Sequence, residues 1–209
     1  MSDDSKYVKY GKLMGGLIHN LNTPLMGCTG RVELLQMKLG EEKNLNQIAI
    51  QLDKINSTLI SVAYILDKDN SDKIMMIDLK ILLDHYFVFL YTDTRFKHQI
   101  EKEINLVSQT VSINPSTLVN YLHTFFGYLL QYIEGASVLE ITNSTENNVH
   151  TIHFCMKYDD AINEEVVEPL SNTLNYLSSV VSEDIMKKYA TTVEVTEEVK
   201  VSVSFGDDV

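Results

Sequence analysis

The chain is short of cysteine, of positive charge and of long apolar runs, and each shortage narrows what it can be. Only two cysteines, Cys28 and Cys155, stand in 209 residues, and they lie far apart. They make neither a disulfide framework nor a metal knuckle, so a reducing, cytoplasmic setting is expected. Lys and Arg number 17 against 29 Asp and Glu, a net charge of −12. Residues 1–69 balance, with eight of each sign. The whole excess falls in residues 70–209, with nine basic against twenty-one acidic side chains. Binding nucleic acid needs basic clusters that neutralise phosphates, and none is present. Anionic lipid is disfavoured for the same reason. No apolar stretch approaches a membrane span; the run Ile81 to Leu90 is interrupted by Asp84 and His85. The start, Met1-Ser2-Asp3-Asp4-Ser5-Lys6, is charged and lacks the apolar core of a secretory leader. With so short a stretch before the first apolar helix, no sensory portion is expected there.

What is present begins with period. Met14, Ile18, Leu21, Leu25, Cys28, Val32, Leu35 and Leu39 step alternately by four and three residues, an unbroken heptad seam. Leu45, Ile48, Leu52, Ile55, Leu59, Val62 and Leu66 make a second. Gly40-Glu41-Glu42-Lys43 separates them, with Gly40 suited to a helix C′ position. Two seamed helices joined by a short loop predict an antiparallel hairpin. Leu13 and Leu17 widen the first stripe, and Ile50, Ala63 and Ile65 the second. Stripes this broad are most economically buried in a four-helix bundle made from two chains. A monomeric hairpin capped by the C-terminal part is the other solution.

His19 stands off the first seam. At roughly 100° per residue it lies on the order of 140° from the centre of that stripe, which predicts a solvent-facing imidazole, a nucleophile near neutral pH. Pro24 removes the donor for the carbonyl of Asn20 and should kink or loosen the helix one turn after the histidine. Gly15 and Gly16 lower helix propensity on the other side. Taken alone, His19 could be a solvated helix histidine with no role.

The run His19-Asn20-Leu21-Asn22-Thr23-Pro24-Leu25 resembles the phosphoacceptor box of bacterial sensor histidine kinases, whose pattern is close to H-[ED]-x-x-[NT]-P-L. The resemblance implies phosphorylation at His19. Asn20 stands where the family has an acidic residue, and an amide cannot act as a base. Thr23 occupies the position whose Thr or Asn positions water for dephosphorylating a receiver; capping of the kink beside Pro24 is its other reading. From helix position, Leu17, Asn20, Thr23, Gly27 and Arg31 are candidate contacts for a receiver domain.

After residue 69 the pattern changes. Ile74 to Ile77 reads as a strand and Leu79 to Tyr91 as a helix capped by Asp78. Gln99 to Leu106 and Thr110 to Ile113 read as strands, and Asn114-Pro115-Ser116 opens a helix to about Ile133. Ser137 to Thr142 and His150 to Met156 read as a hairpin around 143–148. Ser182 to Tyr189 suggests a helix, and Thr192 to Val195 with Val199 to Phe205 a second hairpin. The fold class is therefore α+β: the helical hairpin over 1–69, then over 70–209 an α/β sandwich with helices on one face of a mostly antiparallel sheet. His85 and His123 fall on amphipathic helices. His98, His150 and His153 have no metal-ligand spacing, and the scattered Met residues read as core filler.

The order of elements over 70–209 is similar to the ATP-binding domain of histidine kinases, but the motifs are degenerate. The two positions of the family's asparagine box are Thr124 and Tyr128. Tyr158-Asp159-Asp160-Ala161-Ile162 stands where the adenine-binding D-x-G-x-G-I motif would be, without its glycines. Ser171-Asn172-Thr173-Leu174-Asn175-Tyr176-Leu177 replaces a G-x-G-L-G-L phosphate loop and has no glycine. Cradling phosphate needs backbone N–H groups in close approach, which glycine permits, and magnesium needs an oxygen ligand. No ATP and no resident metal are expected. The resemblance then implies a dedicated histidine phosphotransferase of a two-component phosphorelay, a homodimer exchanging phosphoryl groups with response-regulator receiver domains, which bring their own Mg2+. A dimeric adaptor or antikinase, and a diverged ATP-dependent kinase or phosphatase, are the alternatives.

Overall fold

In the computed structural model, residues 4–40, 42–71, 73–91, 93–129, 136–158, 189–195 and 198–206 are described. The chain divides into two compact units, Met1–Asp67 and Lys68–Val209.

The first unit is built from two long helices, α1 (Asp4–Leu39) and α2 (Lys43–Asp69), the last turn of α2 running into the second unit. α1 ends where expected. Gly40 adopts φ 75° and its N–H donates to the Gln36 carbonyl at 2.9 Å, the left-handed C′ arrangement that glycine makes cheap. The Glu42 carboxylate accepts from the Asn44 and Leu45 N–H groups at 2.8 and 3.3 Å and so caps α2. The Gln36 amide donates to Asn46 Oδ1 at 2.7 Å across the junction. Pro24 lies inside α1, which runs on past it. Four residues after Leu25, the Thr29 hydroxyl donates to the Leu25 carbonyl at 3.1 Å.

The predicted seams split in two. Ile18 and Val32 are buried and Leu25 half-buried, whereas Leu21, Cys28, Leu35 and Leu39 are exposed. On α2, Leu45, Leu52, Leu59 and Leu66 are half-buried, whereas Ile48 and Ile55 are 47% and 50% exposed. The covered row of α1 is 18, 22, 25, 29, 32 and 36, and it contains Asn22, Thr29 and Gln36. Ile18, Leu25 and Val32 of α1 and Leu45, Leu52, Leu59 and Leu66 of α2 are thus covered, while Leu21, Cys28, Leu35, Ile48 and Ile55 face outward and Val62 is half-buried. Ile50, expected to widen the second stripe, is also exposed, while Ile65 is buried.

The second unit is α+β. Strand β1 (Met75–Asp78) leads directly into α3 (Leu79–Leu90), because the Asp78 side chain accepts from the Ile81 N–H and turns the chain into helix. A short α4 (Thr94–His98), capped by Asp93, precedes the expected strand, whose first residues it takes as its C-cap and exit. Gln99 becomes its C-cap, and β2 is Glu101–Asn105. Strand β3 (Thr110–Ile113) pairs antiparallel with β1. Helix α5 (Pro115–Leu129) opens with Asn114 Oδ1 accepting from Thr117 N–H at 3.3 Å and with Pro115 in its first turn. Strands β4 (Ala136–Glu146) and β5 (Val149–Tyr158) form a longer hairpin than the pattern predicts. Asn147 and Asn148 take φ 51° and 62°, a two-residue turn whose twist matches the strands, so pairing continues to Glu146 and Val149. Strands β6 (Tyr189–Val195) and β7 (Glu198–Gly206) close the sheet, in the order β2-β4-β5-β7-β6. Among the described strands, only β2 and β4 pair in parallel. The helix expected over Ser182 to Tyr189 lies outside the described residues, except that Tyr189 begins β6.

Alternation along β4, β5 and β7 defines the layers. Leu139, Ile141, Ile152, Phe154, Met156, Val201, Val203 and Phe205 are buried, and their neighbours are polar. α5 covers that inner face, with Phe125 and Phe126 centroids 4.8 and 5.3 Å from Phe154. α3 adds Leu79, Leu82, Leu83, Tyr86, Phe87 and Leu90, and Phe96 of α4 stacks on Phe87. Asn143, on the same inner face, is buried but satisfied. It accepts from Val107 N–H at 2.7 Å and donates to Val107 O at 2.9 Å, pinning the loop after β2. Met156 is core filler as expected, but Met26, Met37 and Met76 are 72%, 83% and 67% exposed.

Candidate functional site

The site centres on α1. Positions 19, 23, 27 and 31 recur every four residues and form one row along the helix. Thr23, Gly27 and Arg31 are all exposed, as is Pro24. Leu17, His19 and Asn20 lie in α1 by backbone, and their side chains lie outside the described residues. A Cβ built on Gly27 or on Gly30 would meet nothing within 4 Å. No internal packing therefore calls for these glycines, and each costs the helix about 0.5–1 kcal/mol relative to alanine. Beside the row runs a shallow groove of about 240 Å³ lined by Leu25, Met26, Thr29, Gly30, Glu33 and Asn56. Glu33 and Asn56 had no motif to announce them. Asn56 comes from α2, so only the folded helix pair brings it to Gly30.

Asn22 is a further residue that the motif does not single out. It sits on the covered row, three residues after His19, and its Oδ1 is buried with no hydrogen-bond partner. A buried acceptor left unpaired costs about 1–3 kcal/mol. This loss falls in the same turn as Pro24, which leaves the Asn20 carbonyl without its helical donor. Among the described residues of α1, both losses fall in the turn after position 19.

No family model matches the chain, and no curated protein does. Its structure is similar in arrangement to solved histidine kinases. Acinetobacter baumannii histidine kinase AdeS aligns at 12% identity and TM-score 0.47, over 91% of this chain and 98% of that one. Histidine kinase ThkA, solved in complex with the response regulator protein TrrA, aligns at 15% identity and TM-score 0.49, over 98% of this chain and 64% of that one. A bacterial phosphotransferase aligns at 13% identity and TM-score 0.40, over 97% of each chain.

A depression of about 340 Å³ lies over the outer side of β4, β5 and β7. Its polar groups are tied to one another. Lys157 pairs with Glu140, and Lys200 with Glu198, each at 3.2 Å. His153 bridges Ser144 and Ser202 at 3.0 and 2.9 Å. The Cys155 thiol donates to Glu198 at 3.3 Å. Burial first, then the Glu198 carboxylate, pushes that thiol up to about 11, so it is not a nucleophile near neutral pH.

On α5, where the resemblance would place the asparagine box, the Thr124 hydroxyl donates to the Asn120 carbonyl of its own helix at 3.0 Å. Asn120 in turn donates to the Ser116 carbonyl at 2.9 Å. The Tyr128 side chain and residues 159–162 and 171–177 lie outside the described residues. Among the described residues no group of three or more His, Cys, Asp or Glu could hold a metal ion, and no helix is long and apolar enough to cross a membrane. His98 is exposed. His150 is buried and shares a 2.9 Å hydrogen bond with Thr145 across the β4–β5 turn.

Proposed function

We propose that this chain is a histidine phosphotransfer protein of a two-component phosphorelay. His19 takes a phosphoryl group from the aspartyl phosphate of one response-regulator receiver and passes it to another, with no ATP of its own. The observation that carries this reading is the row 19-23-27-31: three exposed positions in line with the histidine, running from the box His19 to Leu25 to Arg31, beside a groove. In the transfer, an imidazole nitrogen attacks phosphorus, the N–P bond forms, and the bond to the aspartyl oxygen breaks, releasing a carboxylate. The reverse step loads the second receiver. This chemistry asks for a neutral nitrogen in line with phosphorus and little else. The receiver supplies Mg2+ and its acidic ligands. Asn20 provides no base, and Thr23 is the group available to orient water if the receiver is dephosphorylated instead. Leu17, Gly27 and Arg31 contact the receiver, and the bare surface at Gly27 allows close approach.

The helix pair acts as an antiparallel hairpin in a homodimeric four-helix bundle. Support comes from the split seams. Leu21, Leu35, Ile48 and Ile55 are 43–50% exposed at heptad spacing on a pair that covers Ile18, Leu25, Val32, Leu45, Leu52, Leu59 and Leu66. Such a stripe is buried by a second, identical pair. Missing glycines at 158–162 and 171–177 support the absence of ATP use.

The protein is incubated separately with labelled ATP and with a phosphorylated receiver, and acid-labile label on it is followed, with His19→Ala alongside. Label from the receiver alone, lost in His19→Ala, is the expected result. Label from ATP would make it a diverged kinase. No label from either, with a stable complex, would make it an adaptor or antikinase.

A further inference from the structure

The helix pair exposes apolar side chains on two flanks. Taking the covered row of α1 as the reference, Leu21, Cys28 and Leu35 lie about 80° to one side of it, and Met26, Gly30, Glu33 and Met37 about 90° to the other. A second copy seated on the first flank leaves the second one open. That open flank is the one in line with the histidine. Positions 26, 30, 33 and 37 follow position 19 by seven, eleven, fourteen and eighteen residues, all close to whole turns, so the five positions share one side of α1 over about 27 Å.

The side chains of this flank are of a particular kind. Met26 and Met37 are 72% and 83% exposed. The Glu33 carboxylate is exposed and has no ion pair among the described residues. Between them lies the groove at Gly30, to which α2 adds Asn56. Ile60, one turn on from Asn56, is also exposed. Methionine is unbranched, with three rotatable bonds and a polarizable sulfur, so it re-packs against surfaces of different shape. Flexible Met-bearing surfaces suit binders that accept several partners. A relay protein needs that property, because the receiver that loads it and the receiver it loads differ in sequence.

We propose that Met26, Gly30, Glu33 and Met37, with Asn56 and Ile60 of α2, form an adaptable seat for more than one receiver. The methionines re-pack on the apolar patch each receiver presents, the groove at Gly30 takes one of its side chains, and Glu33 pairs with a Lys or Arg beside that patch. This seat rests on the transfer reading above. It adds α2 to the recognition surface and states what a partner must carry.

The test uses the full chain bearing His19→Ala, so that transfer contributes nothing, with its methionine methyl groups labelled with carbon-13. It is titrated with a panel of purified, unphosphorylated receiver domains encoded by the same genome. The Met26 and Met37 methyl signals are expected to move with at least two receivers, to different positions for each, while that of buried Met156 stays. Gly30→Gln fills the groove, and its Cβ meets nothing within 4 Å. It should weaken binding of each receiver about tenfold without lowering the unfolding temperature. Glu33→Lys should weaken it about fivefold, with less effect at high salt. Receivers that bind while the Met26 and Met37 signals stay put, or that bind Gly30→Gln as tightly as the parent chain, would overturn the seat even where His19 of the natural protein is loaded normally. Binding by one receiver alone, or by none, would overturn it too. Binding as expected, with no label reaching the natural protein, would uphold the seat and overturn the transfer.

Discussion

The helix pair and the sheet unit bury their apolar residues in opposite ways. In the sheet unit, α3, α5 and the inner face of β4, β5 and β7 close a core in which Leu79, Leu82, Leu122, Phe126, Leu139 and Val203 are all fully buried. In the helix pair the covered row includes Asn22, Thr29 and Gln36, while Leu21, Leu35, Ile48 and Ile55 face outward. Among the described residues, the sheet unit buries most of its apolar side chains, while the helix pair leaves a row of them exposed beside covered amides.

The largest expected effect falls on the sheet unit. Phe126→Ala empties a site surrounded by Phe87, Phe96, Phe125 and Phe154 and should cost about 3–5 kcal/mol. Chemical denaturation should give that loss at every protein concentration. Leu35→Asp strikes the other side. It should scarcely perturb a lone helix pair, yet it should halve the mass seen by sedimentation, because the outward stripe cannot close around a carboxylate. An unchanged mass would show that the stripe serves another partner.

The two regions also differ in how much of them could be read from residues alone. Period found both long helices, and Gly40 and Asp78 marked a stop and a start that the structure keeps. The covered face of α1 was not legible, because hydrophobic spacing points to 14-18-21-25-28 while the packed row admits polar Asn22 and Thr29. Helix α4 was missed because five residues carry no period; the Asp93 cap, accepting from Arg95 N–H at 2.9 Å, was its one signal. The β4–β5 turn was overestimated because six polar residues read as loop, although two asparagines at positive φ suffice. At the candidate site, the motif singles out Thr23, and helix position alone points to Gly27. Asn22 and Asn56 were not legible, since their importance depends on what lies across the helix pair.

Smaller effects sharpen the contrast. Gly27→Ala should stabilise α1 by about 0.5–1 kcal/mol in thermal unfolding, since nothing stands within 4 Å of the new methyl group. The same substitution should slow phosphoryl exchange with a receiver, so stability and activity move in opposite directions. A pH series separates the units again. Burial holds His123 below its ordinary 6.5, so the unfolded chain takes up a proton before the folded one does. Sheet-unit stability should therefore be intact above pH 6.5 and fall as pH drops below it, with a flatter urea-midpoint profile in His123→Gln. A second decline should set in near pH 3.8, where the unfolded chain protonates these carboxyls while the folded one keeps Asp93, held down by its hydrogen bond to Arg95, and Asp78, held down by Ser108, ionised to lower pH. Alkylation gives the mildest distinction. Exposed Cys28 should react at neutral pH well before Cys155, whose thiol is pushed up to about 11.

The central claim is that His19 carries phosphate received from a partner. Its most direct measurement is to mix the protein with a phosphorylated receiver, digest it under mildly alkaline conditions that preserve phosphohistidine, and locate the label by mass spectrometry. The account predicts one labelled peptide, carrying phosphate on His19. An unlabelled His19 peptide, with the receiver still fully phosphorylated and bound, would contradict it.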